Sequence, residues 1–285
     1  MAARILDGRE LAKTMRAEIA QSVADLRERA GVVPNLAVVR AGEDPASVSY
    51  AGAIAKAFAG AGMGFSLHAL PADAGQAAIV ELVARLSADL QVHGIMVQEP
   101  LPQGVDAAAV IAALNPAKDV DGVHPENAGR LLLDVGEYFV PATPAGGMEL
   151  LRRNGVVFKG AQAVVVGRSN IVGKPMACLL LHQHATVTIC HSRTVDLGAV
   201  TRTADILVAA VGKARLITGE MVKPGAIVVD FGVNFVDGAM VGDVDFEGAS
   251  AVAGAITPVP GGTGPMTNVM LMQNTLRAAM RQLGL

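Results

Sequence analysis

The sequence predicts an α/β protein of two domains, and three observations support that class. Short apolar runs alternate with helical patterns almost throughout the chain, which is typical of strand–helix units around a parallel sheet. The 285 residues are enough for two domains of ordinary size. The stretch "FVPATP" interrupts the alternation, so we place the boundary near residues 140–143 and expect domains over 1–140 and 141–265.

The first half contains one long helical pattern and three strand-like runs. A periodic, charged stretch predicts a helix over residues 8–30. Strands are predicted at "NLAVVRAG", "FSLHAL" and "HGIMVQ", with helices between them over 45–61 and 76–90. Residues 99–127 carry prolines at 100, 102, 116 and 125, so we expect a long irregular connection there, a kind that often carries function.

The second half repeats the alternation. A helix is predicted at "PAGGMELLRRNG", a strand at "QAVVVG" and a helix at "VGKPMACLLLHQ", followed by strands at "TVTIC", "ADILVAAVG" and "AIVVDFG". The last segment, "GPMTNVMLMQNTLRAAMRQLG", predicts a helix with an apolar stripe that could pack on either domain.

Composition narrows the function classes. Hydrophobic residues make up 52%, charged residues 17%, and the net charge is −3, which gives no electrostatic reason to bind nucleic acid or a membrane surface. No apolar run approaches the roughly 20 residues that span a bilayer, and the charged start predicts no signal peptide. Cys178 and Cys190 are expected to be reduced core thiols, and no cluster has metal-ligand spacing. We expect a cytoplasmic protein without a metal site.

A glycine-containing turn follows the central strand of the second half. In "AVVVGRSNIVGKPM", Gly167 permits a tight turn, and backbone N–H groups at the start of the next helix can face an anion such as a dinucleotide pyrophosphate. The spacing G-x-S-x-x-x-G differs from the common dinucleotide fingerprint, so the motif alone is weak evidence. Its position between a strand and a helix favours a cofactor loop.

The end of the next strand bears on the choice of cofactor. NAD enzymes commonly place an acid there for the ribose 2′-hydroxyl. Here Ser192 and Arg193 follow "TVTIC", and no acid occurs until Asp196. Hydroxyl and cationic groups favour a 2′-phosphate and hence NADP, and Arg168 could add to the site. A solvated basic turn is the alternative.

At these motifs the chain resembles the methylenetetrahydrofolate dehydrogenase/cyclohydrolase family, over essentially its full length. The matching stretches are "VVVGRSNIVGKPM", "GIMVQEPLPQG", "NPAKDVDGVHPEN", "PATPAGGMELL", "PGAIVVDFGVN" and "ITPVPGGTGPMT". The resemblance implies a folate-binding domain over 1–140, with the C-terminal helix of about 266–285 packed on it. It also implies a Rossmann-like NADP domain, a cleft between the two domains, and a homodimer. The implied reactions are hydride loss from methylenetetrahydrofolate to NADP and hydration of the methenyl cation to 10-formyltetrahydrofolate.

The resemblance also assigns residues. Tyr50 matches a tyrosine over the folate, Gln98 an active-site amide, and Asp121 the carboxylate that grips the pterin. Pro260 and Gly261 match the loop that closes the folate pocket. The residues that match the cofactor side are Gly167, Arg168, Ser169, Ser192 and Val233, beside Arg193.

Each assignment has a plainer alternative when taken alone. Asp121 could belong to an ordinary Asp-Gly turn, Gln98 could be a surface residue at a strand end, and proline and glycine are expected in any tight loop. Taken together, and in their order along the chain, the motifs favour the functional assignments.

Two positions depart from the family pattern. The pattern has a lysine four residues after the tyrosine, where this chain has Ile54, and Lys56 lies about 240° round the helix from Tyr50. Glu99 stands where the family usually has an apolar residue. We therefore expect an NADP-dependent dehydrogenase with weak or absent cyclohydrolase activity. The alternatives are a fully bifunctional enzyme, a non-catalytic relative that binds NADP or folate, and a dehydrogenase of a modified substrate.

Overall fold

The structure is a computed structural model that describes residues 3–285. Its strands are β1 (Arg4–Ile5), β2 (Asn35–Ala41), β3 (Gly64–Leu70), β4 (Gly94–Val97), β5 (Gln162–Val166), β6 (Thr186–Cys190), β7 (Ile206–Ala209), β8 (Ile227–Asp230), β9 (Asn234–Val236), β10 (Ala239–Val241) and β11 (Ala255–Ile256). Its α-helices are α1 (Gly8–Ala30), α2 (Pro45–Gly60), α3 (Gln76–Ala88), α4 (Ala107–Ala112), α5 (Pro125–Leu133), α6 (Ala142–Arg153), α7 (Gly173–His182), α8 (Leu197–Thr201), α9 (Phe246–Ser250) and α10 (Gly264–Gln282). The α/β class is confirmed, and each predicted helix and strand is present with ends shifted by at most three residues.

The predicted irregular connection over 99–127 is wrong in part. It contains α4 and a 3₁₀ turn at Pro116–Lys118. Asp106 caps α4, because its Oδ1 accepts a hydrogen bond from the Ala108 N–H at 2.9 Å. Asn115 caps the 3₁₀ turn through the Ala117 N–H, also at 2.9 Å. Side-chain caps therefore start two short helices in this proline-containing stretch, one of them at Pro116 itself.

The chain divides into two compact units. One comprises the N-terminal residues through Lys13 together with Thr143–Thr267, and the other comprises Thr14–Ala142 with Asn268–Leu285. The sequence placed residues 1–140 in one domain, whereas the first residues belong to the other unit. The reason is that β1 pairs with β11, with Arg4 opposite Ala255.

The unit of residues 14–142 and 268–285 is built on three parallel strands in the order β3-β2-β4. Ala37, Val39 and Ile95 pack with Ile79 and Val83 of α3 in its core. The C-terminal helix is anchored to this unit by Asn274. Its Nδ2 donates hydrogen bonds to the carbonyl oxygens of Val120 at 2.8 Å and Val140 at 3.1 Å.

The other unit contains a six-stranded parallel sheet in the order β1-β11-β8-β7-β5-β6. Its central strands are apolar on both faces: Val164 and Val166 pack in one core, and Ala163 and Val165 in the other. The chain leaves β5 for β6 on one side and then forms β7 on the other. In such sheets ligands bind outside the carboxyl ends of the strands at this reversal.

The Rossmann-like part of the prediction is thus confirmed. The small antiparallel hairpin β9–β10 follows β8.

Among residues 3–285, no helix is long and apolar enough to cross a membrane. Within the same residues, no group of three histidine, cysteine or acidic side chains is placed to hold a metal ion.

Candidate functional site

The start of α2 is fixed by a side-chain cap. Asp44 Oδ1 accepts a hydrogen bond from the Ser47 N–H at 2.9 Å, and Pro45 occupies the first turn. Ser47 Oγ lies 3.0 Å from Asp44 Oδ1 and 2.9 Å from the carbonyl oxygen of Glu99, so its one proton can go to either. These contacts set the position of the turn that carries Tyr50, whose side chain is half-buried.

Gln98 directly follows β4 and is 3% exposed. Its Nε2 donates to the Ser47 carbonyl oxygen at 3.1 Å, which ties the amide to the start of α2. Its Oε1 is buried and accepts a hydrogen bond from no group among residues 3–285. A buried acceptor without a partner is costly, so an amide oxygen in this state suits a site that a ligand donor completes.

Asp119 and Asp121 lie beside the same strand and differ in their surroundings. Asp119 forms a parallel bridge with Ile95 and is fully buried. Its carboxylate accepts hydrogen bonds from the N–H groups of Val123 at 3.1 Å and His124 at 2.8 Å, and from Asn127 Nδ2 at 2.7 Å. Asp119 is therefore a structural carboxylate that holds the turn on which Asp121 sits.

Asp121 is half-buried by accessible surface, and its pKa is raised. Burial of the carboxyl group, with added repulsion from Asp119 and Glu99, raises the pKa to about 7. Burial and the charge of Asp121 also raise the pKa of the Tyr50 phenol, so the two groups are electrostatically close. Near neutral pH, Tyr50 is a protonated donor and Asp121 can hold or release a proton.

Ile54 and Lys56 occupy opposite environments on α2. Ile54 is fully buried in a stripe with Ala51 and Phe58. Lys56 is exposed, in line with the expectation that it points away from Tyr50. The helix thus presents no amine beside Tyr50 on its own surface.

Pro260 and Gly261 lie in the loop before α10. Gly261 is buried with a φ of +115° and accepts a hydrogen bond from the Gly8 N–H at 3.0 Å, while Pro260 is exposed. Thr263 Oγ1 donates to the carbonyl oxygen of Asp230 at 2.9 Å. The loop is held between the start of α1 and the end of β8.

Gly167 follows β5 at a position where only glycine fits. Its φ is +134°, and an added Cβ would lie 2.2 Å from the Ala210 carbonyl oxygen. The sequence predicts that N–H groups at the start of α7 face an anion, but two of these groups already donate hydrogen bonds within the loop. Ser169 Oγ accepts from the N–H groups of Val172 at 3.1 Å and Gly173 at 3.2 Å.

The N–H groups open to an anion lie earlier in the loop. Among the described residues, no group accepts a hydrogen bond from the backbone N–H of Arg168 or Ser169, and both residues are exposed. The N–H groups available to an anion are therefore those of the loop itself, which the Ser169 hydroxyl holds in shape, rather than those at the helix start.

Ser192 and Arg193 form an exposed turn after β6. The turn is fixed from inside, because His191 Nδ1 accepts from the Arg193 N–H at 3.1 Å and Thr194 Oγ1 accepts from the His191 N–H at 2.9 Å. Asp196, the nearest acid in sequence, caps α8 by accepting from the Ala199 N–H at 3.0 Å. Hydroxyl and guanidinium groups are therefore what this turn offers to a ligand.

Sequence reasoning missed two buried carboxylates at the carboxyl end of β8. Asp230 accepts from the N–H groups of Gly232 at 2.7 Å, Asp243 at 3.1 Å and Val244 at 2.9 Å. Asp243 accepts from Asn234 Nδ2 at 3.0 Å and from three consecutive N–H groups after β7, those of residues 211–213, at 2.6 to 3.0 Å. Burial raises the pKa of Asp230 to about 6, and repulsion from the Asp243 charge adds to the rise. The three backbone hydrogen bonds to Asp230 act in the opposite direction and lower the pKa. Val233, 58% exposed, projects from the segment they hold.

Known proteins resemble the chain along its whole length. Residues 6–121 match the model of the tetrahydrofolate dehydrogenase/cyclohydrolase catalytic domain, and residues 141–283 match that of the family's NAD(P)-binding domain. A bifunctional protein FolD of Roseiflexus sp. (strain RS-1) is 58% identical over 285 residues, which cover 99% of this chain and 98% of the relative.

Two solved structures are similar in fold and sequence. The bifunctional FolD of Campylobacter jejuni has a TM-score of 0.96 and 42% identity, covering 98% of this chain and 99% of that one. The Trypanosoma brucei enzyme, solved with NADP cofactor and inhibitor, has a TM-score of 0.94 and 39% identity, covering 99% of each chain.

Gly167→Ala should destabilise its unit and abolish dinucleotide binding, because the new Cβ meets a backbone oxygen and the residue must keep a positive φ. Gly160→Ala is the matched control: its φ is also positive, at +80°, but its Cβ would meet nothing within 4 Å. We expect the control to cost about 1 kcal/mol of unfolding free energy and Gly167→Ala to cost distinctly more. Urea unfolding and calorimetric cofactor titration measure both effects; equal costs for the two variants would refute the close-approach argument.

The Asp121 carboxyl should titrate near pH 7, and Glu99→Gln should lower its pKa by removing a negative neighbour. Since its folded pKa lies above the ordinary 3.8, the folded state binds the proton more tightly between about pH 4 and 7. Ionisation of Asp121 then lowers stability as pH rises through that range, and Asp121→Asn should remove this part of the decline. Carbon-detected NMR titration and unfolding at several pH values test it, with exposed Asp73→Asn as control; an Asp121 titration near pH 4 would contradict it.

Proposed function

Because the chain belongs to the tetrahydrofolate dehydrogenase/cyclohydrolase family, we propose that it oxidises 5,10-methylenetetrahydrofolate to 5,10-methenyltetrahydrofolate with NADP as hydride acceptor. The observation that carries this proposal is the group of Tyr50, Gln98 and Asp121 beside β4. The buried Gln98 oxygen lacks an internal partner, and the Asp121 carboxyl has a raised pKa. Such groups are suited to a ligand that offers several nitrogen-bound protons, as a pterin does.

The cofactor loop fits NADP. Gly167 lets the loop turn tightly against the Ala210 carbonyl oxygen, and the unused N–H groups of Arg168 and Ser169 suit a pyrophosphate. Ser192 and Arg193 suit the 2′-phosphate. When bound, NADP supplies a nicotinamide ring that takes up the hydride.

Oxidation demands little acid–base chemistry from this chain. The reacting carbon lies between two nitrogens whose lone pairs stabilise the cation as the hydride leaves, and no proton is transferred. The protein's part is therefore to hold the folate in place. In our proposal Gln98 and Asp121 bind the pterin, and the ring of Tyr50 lies over it.

Hydration of the methenyl cation requires acid–base chemistry, and we propose that this cyclohydrolase activity is weak or absent here. Water must lose a proton and a ring nitrogen must accept one, a task for which a general acid–base group contributes typically about 10²- to 10⁴-fold. The fully buried Ile54 side chain offers no such group, and Lys56 is exposed on another face. The names of relatives as bifunctional proteins favour the rival proposal, in which both reactions proceed.

One assay separates these proposals. The protein is incubated with methylenetetrahydrofolate and NADP or NAD, while reduced nicotinamide and the methenyl chromophore are followed together. Methenyl accumulation with NADP supports the dehydrogenase with weak cyclohydrolase, and reduced nicotinamide without methenyl accumulation supports the bifunctional enzyme. Binding of both ligands without turnover supports a non-catalytic relative, and failure to bind this folate supports a modified substrate, for which Glu99 is the motivating residue. A homodimer and a cytoplasmic location complete the proposal and rest on the resemblance and the composition.

Arg193→Ala should weaken NADP binding by about 10- to 100-fold and leave NAD binding nearly unchanged, because a charge-assisted hydrogen bond is worth about 1.5–3 kcal/mol. Arg202→Ala, which removes another exposed arginine of the same unit, is the matched control. Calorimetric titration with each dinucleotide measures the effect. Equal losses for NADP and NAD would show that Arg193 does not read the 2′-phosphate.

Ile54→Lys should raise the rate of methenyltetrahydrofolate hydration by about 10²-fold or more, since it adds an amine one turn from Tyr50. Ile54→Met is the control, because it changes the packing without adding an amine. Methenyl decay under stopped-flow mixing measures the rate. A wild-type rate near that of a relative that carries the lysine would defeat the proposal, and a folded Lys variant that stays slow would show that hydration is limited elsewhere.

A further inference from the structure

A cavity lies on the unit of residues 14–142 and 268–285. Its volume is about 650 Å³, and its walls come from the end of α3, the 3₁₀ turn, α5 and α10. The charged residues in its wall are Lys118, Glu126, Arg130, Glu137 and Arg281. None of the residues placed in the folate or cofactor sites lines it.

Arg281 is held rigidly in this wall. Its guanidinium carbon lies 4.7 Å from the centroid of the Phe139 ring, which is itself buried, and the Arg281 side chain is 17% exposed. Stacking on an aromatic face fixes the plane of a guanidinium and removes it from water. A ligand that binds it therefore meets a preorganised group.

One edge of this guanidinium lacks an aligned hydrogen bond. Nε and Nη2 are both buried and make no hydrogen bond with residues 3–285. These two nitrogens form the side-on fork by which arginine binds two oxygens of one carboxylate or phosphate. Glu137 Oε2 approaches Nε to 3.0 Å, an ion-pair distance without hydrogen-bond alignment, and that side chain is 69% exposed.

The neighbouring cations are already occupied. Arg130 pairs with Glu126 at 2.6 Å and donates to the Glu137 carbonyl oxygen at 2.9 Å. Lys118 Nζ donates to the Asp89 carbonyl oxygen at 2.6 Å. Burial first, and then the positive charge of Arg277, lower the pKa of Arg281; the Glu137 carboxylate raises it, and Arg130 lowers it further. The buried Nε and Nη2 edge of Arg281, by contrast, keeps unused hydrogen-bonding capacity, and the Glu137 carboxylate lies beside it.

We propose that this cavity binds a small oxyanion, a phosphate or a carboxylate, through the Nε and Nη2 edge of Arg281. The exposed carboxylate of Glu137 competes for the same edge and moves aside when the anion enters. The bound anion joins α10 to the segment around α5.

Thermal unfolding in potassium phosphate, compared with potassium chloride of equal ionic strength, tests the proposal. A ligand that binds only the folded state raises Tm with concentration. Arg281→Lys keeps the charge but loses the fork, so we expect about tenfold weaker phosphate binding. Arg277→Lys is the matched control, because Arg277 lies one turn earlier, 5.9 Å from the same ring, and does not line the cavity. Phosphate at the cofactor loop would stabilise all three proteins equally.

A phosphate response in the wild type and Arg277→Lys that is lost in Arg281→Lys supports the site. Equal responses in all three, or none, overturn it. A parallel titration with potassium acetate distinguishes a carboxylate from a phosphate as the preferred anion. Where Arg281→Lys fails to fold, Glu137→Gln decides: removal of the competitor should tighten anion binding several-fold, and an unchanged affinity overturns the proposal.

Discussion

The carboxyl edge of the six-stranded sheet depends on two buried carboxylates. Asp230 and Asp243 together accept hydrogen bonds from six backbone N–H groups in the segments after β7, β8 and β10, and from the side-chain amide of Asn234 in β9. Parallel strands have no hairpin turns to fix such loops, so their shape must come from contacts of this kind. The loop that carries Gly261 is tied to the same point through Thr263. Much of the cofactor unit's binding edge is thus organised around two side chains that need not touch a ligand.

The sequence predicts those elements of the fold that depend on residues adjacent in the chain. The apolar run of β5, followed at once by Gly167, indicates a buried strand and a tight turn, and both are present. The two-residue strands β1 and β11 are too short to show a period, so the sequence does not reveal that the first residues belong with the six-stranded sheet. The partners of Asp230 and Asp243 lie up to about 30 residues away, so no spacing in the sequence reveals them. The cap that Ser169 places on Val172 and Gly173 likewise depends on loop geometry rather than on residue type.

Helix α2 divides its surface between stability and chemistry. Ala51, Ile54 and Phe58 form its buried stripe, while Tyr50 stands at the edge of that stripe. Position 54 lies one helical turn after Tyr50, and its side chain decides whether it serves the core or the site. Isoleucine there adds apolar burial, about 1.5–3 kcal/mol for a fully buried side chain, where a lysine would have to keep its ammonium hydrated. The same helix can therefore gain stability as it loses a proton-transfer group.

The pairing of β1 with β11 has a consequence for synthesis. Arg4 and Ala255 are neighbours in the sheet but about 250 residues apart in the chain. A nascent polypeptide that emerges from the ribosome N-terminus first must therefore keep its opening segment unpaired while most of the chain is translated. In that interval residues 14–142 can fold as a unit, except for the C-terminal segment that completes it. The six-stranded sheet can therefore be completed only after residues 255–256 have been made, and a contact of such long sequence separation is expected to form slowly.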